Sequence, residues 1–164
     1  MIRKMIYFLT ELNIGIYIFI FFVAHLLIQL PFFLIGIEFQ NSSVDSIKND
    51  LGLTGLFVLS VIIVPIFETL IFQIIIIEGF RYFLRNLISL NLILIFSTIT
   101  SSLAFASDHI YSINYFIGAF CSGFIYAVLY NISKFRKEAA FIFPLILHSV
   151  WNLFVFFMSD ILDL

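Results

Sequence analysis

The chain has 164 residues, 63% of them hydrophobic and only 11% charged, with a net charge of −2 and a mean hydropathy of +1.17. That is too little charge to coat a water-soluble domain, and 23 phenylalanines do not fit into one small aqueous core, so lipid must face most of the surface. No basic run suits nucleic acid, and a single cysteine, Cys121, excludes an intramolecular disulfide and a cysteine-based metal cluster.

Five apolar segments follow in order. Arg3 and Lys4 precede the first, as in a signal peptide. The run from Ile14 to Ile37 is too long for a signal h-region, so Ile14 to Leu34 reads as a retained helix ending near Pro31. The polar stretch from Glu38 to Asp50 reads as a loop, and its sequon Asn41-Ser42-Ser43 carries little weight. The second segment runs from Leu51 to Ile77 with Pro65 and Glu68 inside it. The third runs from Leu87 to Ala106, the fourth from Ile113 to Ile132 and the fifth from Ala139 to Met158. Backbone groups in lipid must be paired within the segment, so these are expected to be helices. They do not alternate as barrel strands would. The expected fold is an all-α integral membrane protein of about five transmembrane helices, a single membrane unit.

Charge sets the expected orientation. Arg3, Lys4, Arg81, Arg85, Lys134, Arg136 and Lys137 fall on one side if five helices alternate, leaving only Lys48 of the eight basic residues on the other. The positive-inside rule then puts the N-terminus in the cytoplasm and the C-terminus outside; a bacterial cell membrane is the expected setting. Glu38, Asp45, Asp50, Asp108, Asp160 and Asp163 go to the outer side.

A charge at mid-membrane costs roughly 2.5–3.5 kcal/mol on insertion scales, so Glu68 demands a partner or a water-filled cavity. A neutral Glu bonded to a neighbouring helix is the bland reading. His148 lies near the middle of the fifth segment with Asn152 at i+4 on the same face. That pair alone would pass for interhelical glue. His109 borders a loop, with Phe105 one turn before it. His25, in the first segment, reads as packing. The small residues Ser97, Thr98, Thr100, Ser101 and Ser102, and Gly118, Ala119, Ser122 and Gly123, read as close-packing faces.

Taken together, a carboxylate, two imidazoles and a carboxamide suit two chemistries. In one, Glu68 is a general base toward water with His109 beside it, and His148 and Asn152 donate to the oxyanion of a peptide carbonyl. In the other, Glu68, His109 and His148 hold a zinc ion, although no H-E-x-x-H motif occurs. The metal-free route needs an ionised Glu68 in a setting that opposes charge. A nearby imidazolium would hold it ionised, which makes a Glu68–His109 contact a physical requirement of that route.

The motifs resemble those of the CAAX protease and bacteriocin-processing family of intramembrane endopeptidases, also called the Abi or type II CAAX endopeptidase family. Its pattern is E-E-x-x-x-R, F-x-x-x-H and H-x-x-x-N on successive helices. Here the three read Glu68-Thr69-Leu70-Ile71-Phe72-Gln73, Phe105-Ala106-Ser107-Asp108-His109 and His148-Ser149-Val150-Trp151-Asn152. The resemblance covers about Ile62 to Leu153. It implies a four-helix catalytic core over residues 51–158, with residues 1–50 as an added helix and outer loop. It also implies a peptide or membrane-protein substrate and catalysis by Glu68, His109, His148 and Asn152, supported by Thr69, Gln73 and Phe105, without a cofactor. Thr69 and Gln73 depart from the motif's second glutamate and its arginine. Losing the arginine removes one way to keep Glu68 ionised, and losing the glutamate partly offsets that. Two alternatives remain: a non-catalytic binding protein on the same scaffold, such as a bacteriocin self-immunity or regulatory partner, and a small transporter using Glu68 as a proton relay. The transporter reading lacks a second intramembrane carboxylate and paired half-helices.

Overall fold

The computed structural model describes residues 8–34 and 42–161, and no strand occurs among them. Five of their helices are long and apolar enough to cross a membrane. We number them α1 (Ile14–Leu34), α2 (Ser46–Leu84), α3 (Leu90–Ser107), α4 (Ile113–Phe135) and α5 (Ile142–Phe156). A π-helical turn, Phe157–Ile161, extends α5. Arg3, Lys4, Glu38, Asn41 and Asp163 lie outside the described residues.

The second element differs most from the sequence reading. Helix begins at Ser42, inside the expected loop, and α2 carries on through Arg81 to Leu84. Ile47 and Leu51 recur at helical spacing, which gives this polar segment an apolar side. Ile47 packs beside the cluster of Leu56, Val61 and Phe156. At Gly52 the backbone turns to φ 69°, a left-handed conformation that glycine adopts without a Cβ clash. The polar turn is thereby set off from the spanning part.

Two π-helical stretches, Val58–Ile63 and Thr69–Ile75, flank the short α-helical piece Val64–Glu68. Pro65 supplies a physical reason for the first. The Val64 N–H reaches back five residues to the Leu59 carbonyl. The next such bond would run from residue 65 to the Ser60 carbonyl, but proline has no N–H to give. Asn152 Nδ2 of α5 donates to that Ser60 carbonyl instead, at 2.8 Å. In the second stretch the Phe72 carbonyl accepts from Ser101 Oγ of α3 at 2.8 Å. Each irregular turn thus exposes an acceptor that another helix fills, as backbone in lipid requires.

The small-residue faces pack as expected. Ser97, Thr98, Ser101 and Ser102 are buried on α3, and Gly118, Ala119, Ser122 and Gly123 are buried on α4. A Cβ at Gly123 would sit 3.1 Å from the Phe105 side chain, so α3 and α4 meet closely there and a larger residue would push on the Phe105 ring.

Helix α1 is bolted to α4 by polar groups. Tyr17 OH donates to the Leu129 carbonyl at 3.1 Å, Gln29 Nε2 donates to the Gly118 carbonyl at 2.8 Å, and His25 Nε2 lies 2.9 Å from Ser122 Oγ. Arg136 donates to the carbonyls of Leu9, Thr10 and Leu12, just ahead of α1. Its two bonds to Glu138 push the guanidinium pKa further above its ordinary value, keeping the charge.

These contacts gather the described basic residues of the expected cytoplasmic side at one end. Lys134 Nζ and Arg81 Nη1 both lie 3.2 Å from Glu78 Oε1, and Arg81 Nη2 donates to Asn131 Oδ1 at 2.7 Å.

Candidate active site

Three helices place the ionisable groups. Glu68 closes the short α-helical piece of α2 between its two π stretches and is buried. His109 follows the end of α3, where its N–H donates to the Ala106 carbonyl. His148 lies in the second turn of α5 and is buried. Their side chains converge. His148 Nε2 is 3.3 Å from Glu68 Oε2, and His109 Nε2 is 3.7 Å from Glu68 Oε1. The carboxylate therefore lies between two imidazoles, inside a helix bundle.

The sequence left a problem of depth, since His109 borders a loop while Glu68 and His148 sit deeper. The relative offset of α3 and α4 resolves it. Phe105, near the end of α3, packs on Gly123, ten residues into α4. At about 1.5 Å per residue, α4 starts roughly 15 Å beyond Phe105 and so roughly 12 Å beyond the point where α3 stops. His109 therefore ends a short helix within the bundle.

Phe105 positions both histidines. Its ring stacks on His109 with centroids 4.7 Å apart and meets His148 edge-on at 5.6 Å. Its carbonyl lies 2.8 Å from His109 Nδ1. A carbonyl only accepts, so Nδ1 carries the proton and the neutral ring turns its Nε2 lone pair toward Glu68. Burial pushes the His109 pKa below its ordinary 6.5, against the smaller opposing effects of the Phe105 carbonyl and Asp108. The free imidazole is thus the favoured form, where the sequence reading calls for an imidazolium beside Glu68.

Several residues here had no signal of their own in the sequence. Asp108, assigned there to the outer side, places a carboxylate oxygen within 4.8 Å of ligand atoms of Glu68 and His109. It is exposed, and a charged group needs water, so water reaches the edge of the site. Tyr126 of α4 stacks on His148 at 4.8 Å, and only its i+4 and i+8 spacing from Ser122 and Gly118 hinted at that face. His25 packs its ring against Tyr126 at 5.3 Å and Trp151 at 4.6 Å.

The remaining expected residues divide. Asn152 is engaged through Nδ2 with the Ser60 carbonyl. Thr69 and Gln73 are completely buried, and Thr69 Oγ1 and both polar atoms of Gln73 have no hydrogen-bond partner among the described residues. The same holds for Tyr126 OH and His148 Nδ1. Such groups ordinarily take water or a polar ligand. The three groups whose ligand atoms cluster within 4.8 Å are Glu68, Asp108 and His109, a set able to hold a divalent cation. The zinc alternative from the sequence had His148 in the place of Asp108.

Comparison with known proteins agrees with this arrangement of helices. The family model described as Type II CAAX prenyl endopeptidase Rce1-like matches residues 50–154. That span is more than half of the chain and includes every one of these motif residues, so the chain belongs to this family of membrane proteases. No curated protein and no solved structure matches it significantly.

Proposed function

We propose that this protein is an intramembrane endopeptidase that hydrolyses a peptide bond with water activated by Glu68 and His109. The observation that supports it most is the Glu68 carboxylate set between two histidines within a helical membrane core. The 3.7 Å from His109 Nε2 to Glu68 Oε1 is too long for a direct hydrogen bond, and a water can bond to both atoms at once. Glu68 takes a proton from that water as it attacks the carbonyl carbon, and His109 orients it. His148 Nε2 pairs with Glu68 at rest and donates to the carbonyl oxygen as negative charge develops there. Asn152 has a second N–H beyond the one given to Ser60, and an oxyanion role falls to that group. The leaving amine recovers the proton from Glu68. No metal is required for this route. The substrate is a peptide or a membrane protein, and the expected orientation puts the basic end in the cytoplasm.

A second reading, a peptide-binding protein on the same scaffold, gains from Thr69 and Gln73 standing where the family motif carries charge. One experiment separates the readings. Wild type and Glu68→Ala are purified and offered candidate peptides with and without chelator. Cleavage by wild type alone, unaffected by chelator, is the expected result. Equal cleavage by both proteins removes Glu68 as the base, and loss on chelation assigns the chemistry to zinc. Binding without cleavage by either protein favours the binder.

A further inference from the structure

At the basic end of the bundle, remote from Glu68, lies a cleft of about 520 Å³ lined by Glu78, Arg81, Tyr82, Arg85, Leu90, Ile93, Lys134 and Phe135. We infer that this cleft binds the phosphate headgroup of an anionic phospholipid. Four features converge on that chemistry. Three cations face a single carboxylate, leaving net positive charge. Arg81 is held in place by Glu78 and Asn131, yet its buried Nε has no acceptor among the described residues. Helix α3 begins at the cleft with Leu90, and its N-cap residue Ser89 makes no side-chain cap bond. The first N–H groups of this 18-residue helix therefore point their positive dipole end at the cleft. Arginine forks, an ammonium and a helix N-terminus are the groups that bind phosphate oxygens.

The surroundings favour a lipid over a free anion. Tyr82, Phe83, Leu87 and Leu90 are all more than half exposed around the cleft, on a helix bundle that spans lipid. Acyl chains cover such residues, and a soluble phosphate would not. The cleft also lies where helices α2 and α4 end and α3 starts, at headgroup depth, and basic pockets between helix ends are where such headgroups bind. Arg85 lies over the Tyr82 ring at 5.5 Å, so its charge is stationed at the mouth.

The full-length protein in nanodiscs of phosphatidylcholine, with and without phosphatidylglycerol, tests this by native mass spectrometry of retained lipid. Wild type is expected to retain phosphatidylglycerol over phosphatidylcholine. The double variant Arg85→Gln/Lys134→Gln is expected to lose about 25-fold of that preference, at about fivefold per cation. Arg85→Lys/Lys134→Arg should restore it. Equal retention of the two lipids by wild type, or an unchanged preference in the double variant, overturns the proposal. So does protection by soluble glycerol phosphate alone to the same extent as by lipid, which would assign the cleft to a free phosphate. Should the double variant fail to fold, Arg85→Gln alone carries the test, because Arg85 is exposed and lies over the Tyr82 ring at the mouth of the cleft. None of these outcomes depends on peptide cleavage.

Discussion

Two glutamates stand on one helix, about 15 Å apart at 1.5 Å per residue, and they lead opposite lives. Glu78 Oε1 receives the Tyr130 hydroxyl at 2.8 Å, the Arg81 guanidinium at 3.2 Å and the Lys134 ammonium at 3.2 Å. Its charge is spent on tying α2 to α4. Glu68 has two imidazoles at 3.3 and 3.7 Å and lies on the helix that also carries the unpartnered polar atoms of Thr69 and Gln73. The two carboxylates differ in the company each keeps: full-strength donors from α2 and α4 around Glu78, two imidazoles around Glu68.

Exchanging the glutamates for neutral isosteres should pull these roles apart. Glu68→Gln is expected to cut peptide cleavage by roughly 10²–10⁴-fold, the usual worth of a general base, with the thermal midpoint unchanged. Loss of the fold in Glu68→Gln would break the comparison. Gly123→Val drives a side chain into Phe105 and so disturbs the platform under both histidines. Overpacking of this kind costs about 1–3 kcal/mol, and here activity should fall with stability in denaturant titrations. Glu78→Gln should show the reverse of Glu68→Gln: a loss of about 1–2 kcal/mol on thermal unfolding and cleavage close to wild type. Asn152→Ala leaves the Ser60 carbonyl without its donor, at about 1 kcal/mol. A fall in kcat without a change in KM in that variant would add the oxyanion role, and unchanged kinetics would leave Asn152 purely structural.

The smallest effect is a pH dependence of stability. With the folded-state pKa of His109 held below its ordinary 6.5, the unfolded chain binds more protons between the two values. The contribution of His109 is therefore whole above 6.5 and is lost as pH falls through that window. Unfolding midpoints measured from pH 7.5 downward should decline less in His109→Gln than in wild type.

The residues that the structure brings together around Glu68 were partly legible because lipid makes polar residues costly. Glu68 stood out for that reason, and His148 and Asn152 by their i+4 spacing. The spans were legible too, down to the start of α1 and of α4. What escaped was depth. Asp108 reads as an outer-face acid unless one knows that α3 stops well short of the start of α4, and that offset is set by packing of Phe105 on Gly123, not by hydropathy. The π stretches escaped as well. Pro65 announced a disturbance, but whether a helix kinks or widens depends on what can donate to the freed carbonyl, and Asn152 lies 92 residues away in sequence from Ser60. The helix starting at Ser42 was concealed by polarity, which looks like a loop when only long apolar runs are sought.

The partners of Glu68 also come from very different points of the chain. His109 follows on the next helix, while His148 belongs to the last of the five, and Arg136, which secures the segment ahead of α1, is made only shortly before it. At ordinary elongation rates several seconds separate the synthesis of Glu68 from that of His148. During that interval a nascent chain in the membrane holds an acid without its second imidazole. The cluster around Glu68 is therefore closed only when biogenesis is nearly finished.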